Sequence, residues 1–169
     1  MTREAGILTI SDTRAAGSRA DTTTALIQRL LQEAGFVVEE RRLVPDERAQ
    51  IEACLIELAD VRVLPLVLTT GGTGCGPRDV TPEATRAVIE REVPGLPEAM
   101  RAVTAAQNSL AWLSRGIAGL RGRTLIINLP GSPQGVEECL RVVLPLVPHA
   151  LEMLQGGGHE PRTPLAAHS

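Results

Sequence analysis

Segments with the length of strands alternate along the first half of the chain with segments whose apolar residues recur at helical spacing. The predicted strands are Gly6–Ile10, Phe36–Val44 and Leu64–Thr70. Helices are predicted to begin at Asp21, after the first strand, and at Pro45–Asp46, after the second. Because strands that alternate with helices form parallel sheets, this half predicts a mostly parallel sheet with helices on both faces.

The second half predicts two further helices, Thr81–Glu92 and Pro97–Ser109, the latter with Met100 and Val103 facing inward. At 169 residues the chain has the usual length of one domain. We expect that domain to span residues 1–155. Residues 156–169, which are rich in glycine and proline, are expected to form a flexible C-terminal tail.

Two strand-like runs, Gly116–Leu120 and Thr124–Leu129, flank an Arg121–Gly122 turn and predict an antiparallel hairpin. The last helix is predicted to start at Ser132–Pro133, a cap followed by a proline, and to be interrupted at Pro145. The predicted fold class is therefore α/β. It has three layers, α/β/α, with a mostly parallel sheet and one antiparallel edge hairpin.

The loop after the third predicted strand is rich in glycine and leads directly into a helix. Its glycines are Gly71, Gly72, Gly74 and Gly76. Glycine permits positive φ and lets the backbone come close to a ligand. Arg78 and Asp79 follow, and Thr81–Pro82–Glu83 has the form of an N-cap, a first-turn proline and an early acid. Unpaired N–H groups at such a helix start bind anions, so this segment predicts a phosphate site.

Two well-known phosphate loops are excluded. A P-loop needs lysine and Ser/Thr after its last glycine, whereas Gly76 precedes Pro77–Arg78 and all 17 basic residues are arginine. A dinucleotide fingerprint started at Gly72 would end on Pro77. The absence of lysine also weighs against Schiff-base chemistry.

Aspartates are predicted to gather at one edge of the sheet, at the carboxyl ends of the strands. Four of the five in the chain are placed there: Asp12, Asp21, Asp46 and Asp79. Ligands of such sheets bind beyond these strand ends. Helix capping explains Asp21 and can explain Asp46, but Asp79 precedes a better cap at Thr81. Carboxylates beside loop N–H groups are suited to Mg²⁺ and phosphate chemistry.

The composition argues against several classes of binding partner. Phe36 and Trp112 are the only aromatic residues, which argues against base-stacking platforms, and the net charge of −3 argues against a nucleic-acid binder. The sequence has no secretion signal and no apolar run of membrane length, so a cytoplasmic protein without a membrane partner is expected. Cys54, Cys75 and Cys139 are predicted to be reduced thiols.

The motifs resemble the molybdopterin adenylyltransferase family, which includes the MogA and MoaB proteins and the G domain of gephyrin. The resemblance extends from Leu8 to about Leu154. It is carried by Ser11–Asp12, Pro45–Asp46, Thr69–Gly74, Arg78–Asp79, Thr81–Pro82–Glu83, the Leu-Ser-Arg at 113–115 and Asn128–Gly131.

The resemblance implies Mg²⁺-dependent adenylylation of molybdopterin by ATP, giving adenylyl-molybdopterin and pyrophosphate. It implies that Asp46 and Asp79 are catalytic and hold the metal. It also implies a homotrimer and a hand-over of product to a molybdenum-insertion enzyme. The substrate- and nucleotide-binding residues would be Ser11, Asp12, Thr70, Gly71, Gly72, Thr73, Gly74, Arg78, Thr81, Glu83, Ser114, Asn128, Pro130, Gly131 and Ser132.

Several alternatives stay open. Many relatives have a Ser-Gly shortly after the aspartate that matches Asp21, whereas this chain has Thr22–Thr24, so a glycine able to approach a phosphate is missing. A non-catalytic MoaB-like binder or scaffold is the second hypothesis, and an unrelated sugar-phosphate or nucleotide enzyme is the third. Ser114 and Glu83 fit a ligand role as well as ordinary helix ends, and Cys75 is a candidate thiol nucleophile.

Overall fold

The computed structural model describes residues 3–18 and 21–157, and within these ranges six strands form one sheet. The strands are β1 Glu4–Ile10, β2 Val37–Val44, β3 Leu66–Thr70, β4 Arg91–Glu92, β5 Ala118–Arg121 and β6 Thr124–Leu129. Their order is β2-β1-β3-β6-β5-β4. The first four in this order are parallel, and β5 and β4 add antiparallel pairs at the edge. The predicted mixed sheet and hairpin are therefore confirmed.

The helices cover both faces of this sheet. They are α1 Asp12–Ala15, α2 Thr22–Glu33, α3 Arg48–Ile56, α4 Thr81–Val88, α5 Gly95–Ala105, α6 Pro133–Val143 and α7 Val147–Leu154. A π-helical turn, Glu57–Val61, extends α3, and a 3₁₀ helix, Ser109–Leu113, follows α5. Pro145 lies between α6 and α7, which confirms the predicted interruption.

The hydrophobic core is divided in two by the sheet. Successive strand residues point to opposite faces, so in β1 Ile7 joins the cluster under α2, α5, α6 and α7, while Leu8 joins the cluster under α3 and α4. Strand β6 divides in the same way, with Ile127 on the first side and Ile126 on the second. A sheet buried on both faces needs apolar residues at both odd and even positions of each strand. This requirement explains the uninterrupted apolar runs in the sequence.

Several predicted helix details are wrong. The helix expected to begin at Pro45–Asp46 begins at Arg48, after the N-cap Glu47. The helix expected to reach Glu92 ends at Val88, because Arg91–Glu92 instead pairs with β5 as the edge strand β4. Val103 is 54% exposed rather than inward-facing, since α5 presents Met100 to the core instead.

The predicted tail, residues 156–169, lies outside the described residues except for Gly156 and Gly157. In the part of the chain that the structure describes, none of the helices combines the length and apolar character needed to cross a membrane.

Candidate active site

Two cavities meet at the carboxyl ends of β1, β3 and β6. Strand β1 has β2 on one side and β3 on the other, so this edge is a topological switch point where ligands bind. The larger cavity has a volume of about 450 Å³ and the smaller about 380 Å³. Both are lined by Gly72, Asp79, Gly131 and Ser132. The two cavities therefore share one boundary, and Asp79 lies on it.

The glycine loop requires two of its glycines. Gly71 has φ +98°, and a Cβ there would overlap the carbonyl oxygen of Ile10. Gly72 has φ +65°, and its Cβ would overlap the Thr81 hydroxyl. Both backbone conformations are the left-handed type that glycine adopts without strain. Within the described residues, the N–H groups of Gly72, Thr73 and Gly74 have no protein acceptor, so they are free to bind an anion.

Thr81 does not cap its helix, contrary to the sequence prediction. It is the first residue of α4, the N-cap is Val80, and no side chain caps the end. The buried Thr81 hydroxyl instead donates to the carbonyl oxygen of Gly71 at 2.9 Å. Thr81 therefore fixes the glycine loop to α4, and Pro82 occupies the first turn as predicted.

Asp12 and Asp46 are bound to each other's backbone. The Asp12 N–H donates to Asp46 Oδ2 and the Asp46 N–H donates to Asp12 Oδ1, both at 2.9 Å. Ser11 caps the short helix α1, which begins at Asp12, by accepting from Arg14 N–H. Burial raises the pKa of Asp46 above its ordinary value, and the nearby carboxylates of Asp12 and Asp79 add to the increase.

Arg78, which was predicted to bind substrate or nucleotide, donates to carboxylates in the structure. Its Nε and Nη2 donate to the two oxygens of Asp12 at 3.0 Å each, and Nη2 also reaches Glu47 at 3.0 Å. These hydrogen bonds from Arg78 lower the pKa of the Asp12 carboxyl below its ordinary value. The guanidinium is more than half exposed and is not among the residues that line the two cavities.

The two predicted catalytic carboxylates line the same, smaller cavity. Asp79 Oδ2 accepts from the Gly76 N–H at 2.8 Å, and Asp46 Oδ2 is bound as described. Among the described residues, no group donates to the Oδ1 atom of either aspartate. No cluster of three or more metal-binding side chains occurs in the described ranges. Two carboxylate oxygens suit Mg²⁺, which takes its other ligands from water and phosphate.

Arg115 holds the glycine loop in place, a role that no local sequence pattern indicated. Its Nε donates to the carbonyl oxygen of Gly74 at 2.7 Å and its Nη2 to that of Asp79 at 2.6 Å. Its backbone N–H donates to Thr73 O at 2.8 Å. Glu83 pairs with the same guanidinium, which lowers the pKa of Glu83 and assigns it to the support of the loop.

We expect Arg115→Lys to loosen the loop. Lysine keeps the charge but cannot bridge Gly74, Asp79 and Glu83 at once, because it lacks the planar fork. The affinity of the larger cavity for its ligand should fall roughly tenfold, and the free energy of unfolding should fall by about 1–2 kcal/mol. Titration calorimetry and urea unfolding measure the two quantities. Arg141→Lys, on the exposed side of α6, is the matched control, and equal behaviour of both variants would contradict the role.

Other predicted residues hold the backbone around the site through buried hydrogen bonds. The buried Asn128 amide donates to Thr69 and Thr85 at 3.0 and 2.9 Å and accepts from Ile117 N–H at 3.1 Å. The Thr70 hydroxyl donates to the carbonyl oxygen of Pro130 at 2.7 Å. With these polar groups satisfied, Asn128 and Thr70 fix the turn at Pro130 rather than present free donors to a ligand.

The remaining predicted residues lie at the cavity walls. Thr73, Gly74 and Ser114 line the larger cavity, whereas Ser11 lines the smaller one. The Ser132 hydroxyl accepts from Gly135 N–H at 3.1 Å and caps α6, as the sequence predicted. The capped helix N-terminus therefore lies at the boundary between the cavities.

The larger cavity contains functional candidates that the sequence did not single out. Its far wall combines the apolar Met100 and Leu110 with the polar Arg101, Asn108 and Glu138. Apolar walls with few polar groups are typical of small-molecule sites, and its volume lies in their usual range. These residues come from α5, the 3₁₀ helix and its N-cap, and α6, so no local motif could group them.

The cysteines are free thiols, as predicted. Cys75 is exposed in the loop, where its Sγ lies 3.6 Å from the carbonyl oxygen of Leu113. Cys139 lines the larger cavity, and burial raises its pKa to about 11, so it is protonated at neutral pH.

Comparison with known proteins identifies similar chains. The family described as a probable molybdopterin binding domain matches residues 6–149. A molybdopterin adenylyltransferase of Helicobacter pylori is 41% identical over 153 residues, which make up 89% of this chain and 87% of the relative. The molybdenum cofactor synthesis protein cinnamon of Drosophila melanogaster is 42% identical over 88% of this chain, which spans 25% of that relative's length.

A solved structure has the same architecture. The molybdopterin biosynthesis enzyme MoaB from Thermus thermophilus superimposes with a TM-score of 0.87 at 52% identity, covering 92% of this chain and 98% of that protein. The similarity confirms the three-layer fold with its mostly parallel sheet.

Proposed function

The chain belongs to the molybdopterin-binding domain family, and on that premise we propose that it is a molybdopterin adenylyltransferase of molybdenum cofactor biosynthesis. A single observation in the site supports this best. A 450 Å³ cavity with apolar walls and a 380 Å³ cavity with two carboxylates share the boundary residue Asp79. A reaction that joins two substrates needs two such compartments in contact.

In the proposed reaction, molybdopterin occupies the larger cavity and ATP the smaller one. A terminal phosphate oxygen of molybdopterin attacks the α-phosphorus of ATP and forms a new P–O–P linkage. The bond from the α-phosphorus to the oxygen that bridges to the β-phosphate breaks, and pyrophosphate leaves. The substrates meet beside Gly72 and Asp79, which belong to both cavities.

This chain's own groups stabilise the charge that gathers at the boundary. The free N–H groups of Gly72, Thr73 and Gly74 donate to phosphate oxygens, as preorganised donors do in other transfer sites. Asp46 and Asp79 would hold Mg²⁺, which when bound offsets phosphate charge and orients the leaving pyrophosphate. Burial and acidic neighbours raise the pKa of Asp46, and a bound cation would favour its charged form.

The non-catalytic binder is the weaker alternative. A binder of molybdopterin alone would need only the larger cavity. The Asp46 and Asp79 carboxylates, whose Oδ1 atoms have no donor among the described residues, supply the smaller cavity with metal-binding groups. Both residues therefore favour the enzyme.

The test is incubation of the purified protein with molybdopterin and Mg-ATP, followed by chromatography of the pterin and an assay for pyrophosphate. We expect adenylylated molybdopterin and pyrophosphate in equal amounts, and no product when EDTA replaces Mg²⁺. Tight molybdopterin binding with no product under saturating Mg-ATP would identify a binding protein instead.

A homotrimer is part of the proposal. Three apolar side chains of the 3₁₀ helix, Leu110, Trp112 and Leu113, are each more than half exposed in the single chain, and contact with another copy would remove them from water. Sedimentation equilibrium at micromolar concentration should give three times the 18.0 kDa chain mass. A monomer under these conditions would contradict it.

We also propose that the protein works in the cytoplasm and passes its product to a molybdenum-insertion enzyme. The three free thiols fit a reducing compartment. An adenylylated phosphate is an activated group, so a reaction that displaces AMP is the expected next step.

A further inference from the structure

Arg14 is a nearly buried cation with few partners. Its side chain is 8% exposed, and the residue lines the smaller cavity together with Asp46 and Asp79. Nη2 donates to the Thr23 hydroxyl at 3.2 Å, and Nη1 lies 3.9 Å from Asp21 Oδ1. Nε is buried without any hydrogen-bond partner. A guanidinium has five N–H donors, so most of the hydrogen-bonding capacity of Arg14 is unused.

Asp21 neutralises this charge poorly. Its Oδ1 accepts from the Thr24 N–H at 3.0 Å, and its Oδ2 accepts from the Thr24 hydroxyl. The distance of 3.9 Å to Arg14 is longer than a charge-assisted hydrogen bond. Among the described residues, no other carboxylate lies within 4.0 Å of the guanidinium. A buried cation is costly unless it is paired, so the site favours an anion from outside the protein.

Arg14 lines the smaller cavity, whereas Arg78 does not, and the two arginines differ in their partners. Arg78 is 56% exposed, and its charge and its Nε and Nη2 donors are engaged by Asp12 and Glu47. Arg14 is buried and keeps its donors. Of the two, Arg14 lines the cavity and has the larger unused donor capacity for a phosphate.

We propose that Arg14 binds a phosphate group of the nucleotide in the smaller cavity. The identification of the ligand as ATP rests on the proposed function. This role explains why threonines at 22–24 can replace the Ser-Gly of many relatives. The buried Thr23 hydroxyl accepts from Arg14 and donates to the Gly131 carbonyl oxygen at 3.4 Å. Thr23 thus holds the guanidinium against the turn that borders both cavities. The phosphate lies between this cation and the carboxylates of Asp46 and Asp79.

The terminal phosphate of molybdopterin is the other source of the same chemistry. It enters from the larger cavity, which Arg14 does not line. The nucleotide is therefore the assigned ligand, and the two substrates are titrated separately to distinguish them.

The experiment measures binding of Mg-pyrophosphate, Mg-ATP and molybdopterin by titration calorimetry to wild type, Arg14→Gln and Arg14→Lys. Arg29→Gln is the control, because Arg29 is 60% exposed on α2 and pairs with Glu33 at the surface. Arg14→Gln should lose roughly 10- to 100-fold in affinity for pyrophosphate and ATP, the scale of a lost charge-assisted hydrogen bond. Arg14→Lys should lose less. Molybdopterin affinity should change less than about twofold in each variant.

Thr23→Val provides a second variant if Arg14→Gln does not fold, because it keeps the side-chain shape and removes only the hydroxyl that holds the guanidinium. We expect a weaker loss for ATP, about three- to tenfold, with molybdopterin affinity unchanged. Its melting temperature is measured in parallel, and equal losses for both substrates together with a lowered melting temperature would mean a structural role and overturn the proposal.

Three further results also overturn it: unchanged ATP affinity in Arg14→Gln, loss of molybdopterin affinity alone, or an equal loss in Arg29→Gln. The proposed function is tested separately, by product formation in the wild-type protein. Wild type that binds pyrophosphate through Arg14 but forms no adenylylated product would overturn the enzyme assignment and leave the Arg14 site intact. If wild type forms product while Arg14→Gln binds ATP normally, the Arg14 proposal is overturned and the enzyme assignment stands.

Discussion

Asp79→Asn should reduce adenylylation of molybdopterin at least ~100-fold, the scale at which one preorganised electrostatic group is lost. Asp79 lies where the two cavities meet, and its Oδ1 has no donor among the described residues. Asparagine can still accept from the Gly76 N–H with its own oxygen, so the loop should keep its shape. The variant should therefore fold, assemble and bind molybdopterin while losing the charge that the reaction needs.

Product formation under saturating Mg-ATP is measured beside a molybdopterin titration. Asp60→Asn is the matched control, since Asp60 pairs with Arg121 away from both cavities and undergoes the same change of charge. Full activity in Asp79→Asn would contradict the catalytic assignment. Loss of activity together with loss of molybdopterin binding would make Asp79 a substrate-binding or structural residue.

Asp46→Asn should behave in the same way if both carboxylates hold one metal ion. The double variant Asp46→Asn/Asp79→Asn should then be little worse than either single variant, because groups that act as a unit are not additive. Activity titrations with Mg²⁺ should require higher metal concentrations in each single variant. Multiplied losses in the double variant would indicate that the two acids act separately.

Gly72→Ala should weaken molybdopterin binding roughly tenfold or more and destabilise the fold by about 2–4 kcal/mol. Gly72 has φ +65°, which is strained for alanine, and its new Cβ would overlap the Thr81 hydroxyl. Moving that hydroxyl breaks its hydrogen bond to Gly71 and shifts the free N–H groups of the loop. The far-UV circular dichroism spectrum should stay native, because the change is confined to the loop.

The variant Gly122→Ala separates backbone strain from crowding, the two causes of the destabilisation expected in Gly72→Ala. Gly122 has φ +52° in the β5–β6 turn, and a Cβ there meets nothing within 4 Å. This variant should therefore incur only the backbone strain, about 1–2 kcal/mol, and leave molybdopterin binding unchanged. Equal stability losses and equal affinities in the two variants would show that crowding against Thr81 is unimportant.

Much of the fold was readable from local pattern. The continuous apolar runs at β1, β3 and β6 reflect burial on both faces, which only a central parallel strand experiences. Ser132–Pro133 and Asp21 start helices through their own side chains, so their motifs are complete within four residues. The glycine loop was also predictable, because positive φ at Gly71 and Gly72 is a local requirement.

The errors occurred where a distant segment competes with a local signal. Thr81–Pro82 has the form of a helix cap, yet the Thr81 hydroxyl binds Gly71, ten residues earlier in the chain. Arg91–Glu92 continues a helical pattern in the sequence, yet this segment pairs with the edge of β5 and forms strand β4. In both cases tertiary hydrogen bonds prevail over a propensity of about 1 kcal/mol or less.

The sequence by itself determined the layered sheet, the glycine loop and the gathering of aspartates at one edge, because strand direction and loop position follow from periodicity. Only the tertiary structure decided the pairing of side chains there. Arg78 meets Asp12 across 66 positions and Arg115 meets Glu83 across 32, so no local spacing encodes either contact. The same holds for the two cavities that share Asp79 and for the buried Arg14, since enclosure exists only once β1, β3 and β6 are packed side by side.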